Sequence, residues 1–450
     1  MGHVGFTSSG DGRFELEPAS WPVRSYARCM PPILDDVRVL DFTQVLSGPT
    51  ATRYLAELGA DVIKVEIPPH GDITRNSSAM RDGRSGYFVN ANRGKRSVCI
   101  DLKHPKGVEL ALGLAAGVDV VIENFSPGTI DRLGLGWSAL SAQNERLIMC
   151  SISGFGQTGP LSHLPGYDGA AQAYAGLTSL NGDVDGTPVV TGAPFGDVIT
   201  GINSVVGILG ALFARERSGR GQHIETSVLE GYLQSHDMAL ESYSVSGGAV
   251  IQGRSGRFHQ LACPYGIFQA RDGFVFIAAA ADKHWRDLCA AMQDTELLDP
   301  AHRWNVRTCR EAESDELNAR VDRWLGSVSS RAEGLKILEL HRVPCGPVLG
   351  IDETADSPQL REAGVIREAG DPVLGSMLVP SFPLSFSDAE AGFDVEAPHL
   401  GEHNADLLVD LAGGNVEYDE LVTSGVIHHV PMTTRPTKLR HTQSPESEAQ

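Results

Sequence analysis

The chain has 450 residues, with 37 Lys and Arg against 57 Asp and Glu and hence a formal charge of −20; 41% hydrophobic and 21% charged residues exclude a disordered or collagenous chain. At roughly 100–200 residues per domain, this length predicts two or three domains with ample core. The acidic balance, with no Lys/Arg-dense run, argues against use of the whole surface to hold a polyanion such as nucleic acid, because that affinity is driven by phosphate neutralisation, and leaves room only for a local basic pocket.

The cysteines, at 29, 99, 150, 263, 289, 309 and 345, are odd in number and include no C-x-x-C pair. That spacing predicts reduced, intracellular thiols rather than a disulfide frame or a zinc site. The longest apolar runs, Val205–Ala214 and Val275–Ala281, fall short of the roughly 18 residues of a membrane span, so none is expected. Asp11, Glu15 and Glu17 sit where a transit peptide avoids acid, and no apolar h-region precedes them, so the cytoplasm is the expected location.

Residues 1–30 show no sustained period and form an N-terminal extension. From 31 to about 230, strands and helices alternate. Val37–Phe42 is a short apolar run, Gly48-Pro49 opens a helix over Thr50–Leu58, and Gly59 closes it before a strand at Asp61–Glu66. The theme repeats with a strand at Ser97–Leu102, a helix at Pro105–Ala116, a strand at Asp119–Phe125, a helix start at Ser126-Pro127, a strand at Arg146–Ile152 and a long apolar helix at Asp197–Arg215. This α/β alternation predicts a mostly parallel sheet covered on both faces. A linker comes next over 231–256, Gly/Ser-rich from Ser244, then a smaller unit over 257–342 with a strand pair near Gly266–Gln269 and Gly273–Ala279 and helices beyond. Val343–Val348, with two prolines, marks a second crossing, and 343–425 returns to the first unit; 426–450 is a tail rich in Thr, Ser, Pro and charge.

Gly154-Phe-Gly156-Gln-Thr-Gly159 has the form of a dinucleotide fingerprint, but Pro160 and Pro165 bracket the next segment, so no helix is expected to receive a pyrophosphate there. Asp197, at the start of the apolar helix, is read in two ways. It can cap the helix, or it can be held ionised and aimed by the helix end, as a carboxylate nucleophile requires. Tyr167 and Asp168 are read either as a hydrogen-bonding pair or as a turn ahead of a helix. Lys95, Arg96, Lys103 and Arg132 place cations near strand ends, where α/β folds bind ligands. His163, His259 and His428-His429 lack metal spacing, and no metal is expected.

Taken together, Leu40-Asp-Phe-Thr-Gln-Val-Leu-Ser-Gly-Pro49, Leu58-Gly-Ala-Asp-Val-Ile-Lys-Val-Glu66, Gly71-Asp72, Asn92-Arg-Gly-Lys-Arg-Ser97, Glu123-Asn-Phe-Ser-Pro-Gly128, Ser153 to Pro160, Gly166-Tyr-Asp168, Gly196-Asp197 and Gly401-Glu-His403 resemble the family III CoA-transferases, the carnitine dehydratase and bile-acid-inducible protein group. The resemblance spans about 34–412. It implies a Rossmann-like large domain with a parallel sheet, a smaller α+β domain, and two ring-like subunits interlocked as a homodimer. It also places the family's nucleophilic aspartate on Asp197 and implies aspartyl anhydride and aspartyl-CoA thioester intermediates, with coenzyme A as a substrate and no further cofactor. By position Val45, Lys103, Asn124, Phe125 and Arg132 resemble the residues that hold CoA. Tyr167 and the Gly154, Gly156 and Gly159 amides fall at the substrate pocket.

There are departures. Formyl-CoA-type members have a basic residue where this chain has Ile67, Gln where it has Leu46, and a four-glycine loop that is absent here, so formate or oxalate specificity is not expected. Arg254 and Arg257, at the end of the linker, are candidate clamps for a second carboxylate. The expected partners are therefore an acyl-CoA, with succinyl-CoA as donor, and a small dicarboxylic acceptor. Racemases of the superfamily are the rival: they have His at the position of Tyr167 and Glu at that of Asp282. A Tyr with a pKa near 10 is a poor base at neutral pH, which favours the transferase. A non-catalytic acyl-CoA-binding subunit is the alternative of another class.

Overall fold

The computed structural model describes residues 32–77, 79–393 and 395–428; the N-terminal extension, Cys29, His429 and nearly all of the C-terminal tail lie outside them. In chain order the first part runs β1 (Arg38–Asp41), α1 (Ser47–Glu57), β2 (Asp61–Glu66), α2 (Gly86–Asn92), β3 (Lys95–Cys99), α3 (Pro105–Ala116), β4 (Val120–Glu123), α4 (Trp137–Gln143) and β5 (Ile148–Ser153). It continues with α5 (Asp168–Tyr174), α6 (Phe195–Ser218), β6 (His223–Ser227) and α7 (Val228–Gln234). The six strands are parallel and lie in the order β3-β2-β1-β4-β5-β6. That is the Rossmann order, and it reverses direction between β1 and β4, which leaves a crevice beyond their carboxyl ends.

Alternate residues of these apolar strands feed two cores. Val39, Val62, Val120 and Ile148 pack with Ala51 and Leu55 of α1 and Ile208 of α6. Leu40, Ile63, Val121 and Met149 pack on the opposite face with Leu110 and Leu114 of α3. Burial on both faces is why the strands read as unbroken apolar runs.

A second sheet, antiparallel and ordered β9-β8-β7, is built from β7 (Tyr265–Ala270), β8 (Gly273–Ala278) and β9 (Cys345–Pro347). With α8 (Asp282–Met292), α9 (Ser314–Ser327) and α10 (Arg331–Leu340) it encloses its own core around Phe268, Ile277, Trp285, Trp304 and Leu317. Val343–Val348 differs from expectation: its centre is β9, an edge strand, where proline's missing N–H is tolerated, and the crossing comes after it. The chain then forms the ribbon β10 (Ile366–Asp371) and β11 (Gly375–Pro380) and returns through α11 (Asn404–Ala412). Leu408 of α11 enters the α3-side core, and the Asn404 side chain accepts the Cys99 N–H at 2.9 Å.

The apolar helix is longer than the sequence runs indicated. α6 has 24 residues with mean hydropathy 1.7 over its most apolar window, long and apolar enough to cross a membrane by length and composition. A third of that window is buried inside the protein, where α6 covers the sheet beside α1.

Candidate active site

The β1–α1 loop is the first wall of the crevice. Below it Asp41, fully buried, accepts from the Thr43 N–H at 2.8 Å and the Thr52 hydroxyl at 2.7 Å and pairs with Lys95 at 3.1 Å. Burial alone would raise its pKa, but Lys95 and Lys64 outweigh it and hold the carboxylate at about 2. The Lys64 ammonium donates to the Thr43 carbonyl at 2.7 Å and pairs with Asp72 at 3.0 Å. This bracing sustains an uncommon conformation: Val45, β-branched, sits at φ 68°.

The β4–loop wall is fastened to the first. The Asn124 carboxamide accepts the Gln44 N–H and donates to the Gln44 carbonyl, both at 2.8 Å. Asn124 is thus committed to the protein backbone, and both it and Phe125 line the cavity.

Helix α6 brings the third wall. Asp197 is its third residue and not its cap, because the helix begins at Phe195 and Pro194 holds the cap position. The cap is supplied from a distance: Asp168 accepts the Asp197 N–H at 3.1 Å and the Tyr232 hydroxyl at 2.6 Å. Asp168 therefore pairs with Tyr232 and not with Tyr167, whose side chain is 71% exposed. Tyr232 lies flat on Gly196, where a Cβ would approach its ring to 2.2 Å. Gly201 lets α6 cross α1 so closely that a Cβ there would meet the Ser47 carbonyl at 2.7 Å. That crossing brings Ser47 to the Asp197 carboxylate. Burial, then the charge of Asp168, raises the Asp197 pKa to about 6, while a hydrogen bond from Ser47 opposes them.

These walls enclose a cavity of about 400 Å³ lined by Val45, Asn124, Phe125, Gly154, Tyr167 and Asp197 among others, with Leu46, Ile73, Ile152 and Val228 supplying apolar surface and no Lys, Arg or His of the described residues in the lining. Six of the candidate residues therefore meet at the switch point. The others lie elsewhere. Gly156 and Gly159 are outside the lining, and the Gly156 N–H donates to the Ser153 hydroxyl at 2.9 Å. Lys103 and Arg132 are exposed, the latter folded onto Thr129 at 2.8 Å. Of the other cations, Lys95 is buried on Asp41, and Arg96 pairs with Asp61. Arg254 donates to the Asp183 carbonyl at 3.1 Å, and Arg257 pairs with Asp322 at 2.5 Å beside a separate cavity of about 430 Å³. Asp282 sits on α8 with Arg310, remote from this cavity. No helix opens after Gly159; α5 starts only at Asp168, as the prolines required.

Four contributors went unread in the sequence: Ser47, Tyr87, Asp168 as a distant cap, and Tyr232. Burial together with the charges of Asp197 and Asp72 pushes the Tyr87 phenol up to about 12, which keeps it protonated. Ser47 had a local signal in the Ser-Gly-Pro helix start; Tyr232 had none.

A sequence profile of CoA-transferase family III matches residues 34–404. The chain belongs to that family. It is 36% identical to succinyl-CoA:mesaconate CoA-transferase of Haloarcula marismortui over 86% of this chain and 99% of that one. It is 35% identical to formyl-CoA:oxalate CoA-transferase of Rhodopseudomonas palustris over 85% and 94% of the two chains. Its fold matches the crystal structure of a CAIB/BAIF family protein from Brucella suis with TM-score 0.75 and 34% identity, covering 85% of this family III chain and 99% of the other.

Proposed function

We propose that the enzyme moves CoA from an acyl-CoA donor, succinyl-CoA first among the candidates, to a small dicarboxylic acid, and that Asp197 is its nucleophile. The observation that carries the reading is a half-buried carboxylate at the switch-point cavity, with its pKa raised to about 6 and so both ionised at neutral pH and more basic than an ordinary aspartate. The carboxylate attacks the thioester carbonyl and expels CoA thiolate, leaving an aspartyl mixed anhydride. The thiolate attacks the aspartyl carbonyl, which releases the donor acid and leaves an aspartyl-CoA thioester. The acceptor carboxylate then attacks that thioester, and the returning thiolate takes the acceptor's acyl group and frees Asp197. Every bond broken is balanced by one formed, and coenzyme A enters as substrate with no further cofactor.

A dicarboxylic acceptor is supported by the relatives named for mesaconate and oxalate. Among the described residues no Lys, Arg or His lines the cavity, so a second carboxylate would need a group brought from outside that lining. An interlocked homodimer in the cytoplasm is the assembly that accompanies this reading.

Intact-protein mass spectrometry after mixing with succinyl-CoA tests it. A CoA-sized adduct that hydroxylamine removes and Asp197→Ala lacks is the expected result. Absence of any adduct, with deuterium entering the α-carbon of a 2-methylacyl-CoA, would replace the transferase with a racemase.

A further inference from the structure

One buried acid beside the cavity has no part in the transfer chemistry. Glu123 ends β4 at the switch point and is 2% exposed. Its carboxylate accepts the Phe125 N–H at 2.8 Å, and so holds the residue that turns the chain into the cavity wall. Ser151 is its register partner on β5 and hydrogen-bonds to it. The Ser151 hydroxyl also meets His223 Nε2 at 2.9 Å, and that ring, half-buried on β6, stacks on Trp137 with centroids 5.6 Å apart. The order carboxylate, hydroxyl, imidazole is not that of a hydrolase: the carboxylate and the ring both address a buried serine.

We infer that Glu123 is a positioning residue whose charge, steadied by Ser151 and His223, tightens the Asn124–Phe125 wall, so that the hold of this site on coenzyme A tracks the ionisation of Glu123. The inference rests on the reading of this cavity as an acyl-CoA site. Ionised, Glu123 makes a charge-assisted bond to the Phe125 amide; protonated, it makes an ordinary one. Asn124 is tied to Gln44, so slack at Phe125 reaches the Val45 loop opposite. The charged and titratable groups around it are few. Asp131, on the short helix Thr129–Arg132, repels the carboxylate; His223 and Glu225 lie on β6; Cys150, one strand over, is a thiol kept neutral by burial. Burial first, then Asp131, outweighs the hydrogen bonds from Ser151 and Phe125 and raises Glu123 to about 7, within the range where enzymes work.

The test is the dissociation constant of coenzyme A between pH 5.5 and 9 for wild type and Glu123→Gln, whose neutral amide matches the protonated acid in shape. Taking the ratio of the two cancels the titration of the ligand's phosphates and of Asp197. The ratio is expected to be near one at the acid end and to rise to about 3- to 10-fold weaker binding by the variant at the alkaline end, with a midpoint near neutrality. Ser151→Ala, which leaves Glu123 in place but removes a donor, is expected to move the midpoint of its own binding curve to higher pH relative to wild type. A ratio flat across the range, or a midpoint unmoved in Ser151→Ala, overturns the inference while leaving the acyl-CoA reading intact. Wild type that binds no coenzyme A at any pH overturns both.

Discussion

Asp168 does two opposite things to Asp197. It fixes the first turn of α6 by accepting the Asp197 N–H, and its negative charge, after burial, pushes the Asp197 carboxyl toward protonation. If Asp197 is the nucleophile proposed above, it must be ionised to react, so turnover is expected to fall as pH drops through about 6, and the cause can be dissected. Asp168→Asn keeps an oxygen for the Asp197 N–H but removes the charge. The acid limb of kcat/KM is then expected to move to lower pH by up to about one unit, read from a pH–rate profile on one acyl-CoA. A limb that stays in place would assign the whole shift to burial.

The crossing of α6 on α1 is what turns a helix into part of a site. At Gly201 a side chain would meet the Ser47 carbonyl and the Thr50 side chain within 2.9 Å, and a backbone oxygen cannot swing aside. Gly201→Val is therefore expected to lose about 1–3 kcal/mol of stability and, by lifting Asp197 from Ser47, at least about 10-fold in turnover. Gly210→Ala, with nothing within 4 Å of the new carbon, is the control and should lose neither. Thermal melts and steady-state rates on the two variants decide the point. The same helix shows what the sequence reveals and what it hides. β2 at Asp61–Glu66 and α3 at Pro105–Ala116 were legible to the residue, because an apolar run, an initial proline and a closing glycine bound them. β6, His-Ile-Glu-Thr-Ser, is a half-buried edge strand with one aliphatic residue, so no apolar run announced it. Val45, Asn124, Phe125, Gly154 and Asp197 converge because each lies just past a strand end or opens a helix, and those places can be read along the chain. The cap from Asp168 and its Tyr232 partner join residues 64 apart, and only the packed structure brings them together.

At the scale of the molecule, α6 presents an exposed apolar face. Two-thirds of its apolar window is not buried by the described residues, and Ile202, Val206 and Phe213 are exposed along it at 39%, 65% and 67%. Tyr243, Val245 and Ile251, in the segment leading to the second sheet, are exposed as well. A stripe of exposed apolar residues such as the one along α6 marks a binding face, for another protein or for lipid. A second copy of the chain suits the family III reading, and a membrane suits the bare length and hydropathy of the helix; the two make different predictions. A homodimer should run in light scattering at twice 48.1 kDa without detergent, and Phe213→Asp should shift it toward the single mass while leaving the sheet core intact. If the helix served lipid instead, the wild type would co-sediment with vesicles and Phe213→Asp would release it. Phe213 lies on the solvent side of α6, away from Asp197 and Ser47, so activity lost along with dimerisation would mean that the partner completes the site. A partner that completes the site in this way could bring to it a charged group, since none of the described residues lining the cavity is a Lys, Arg or His.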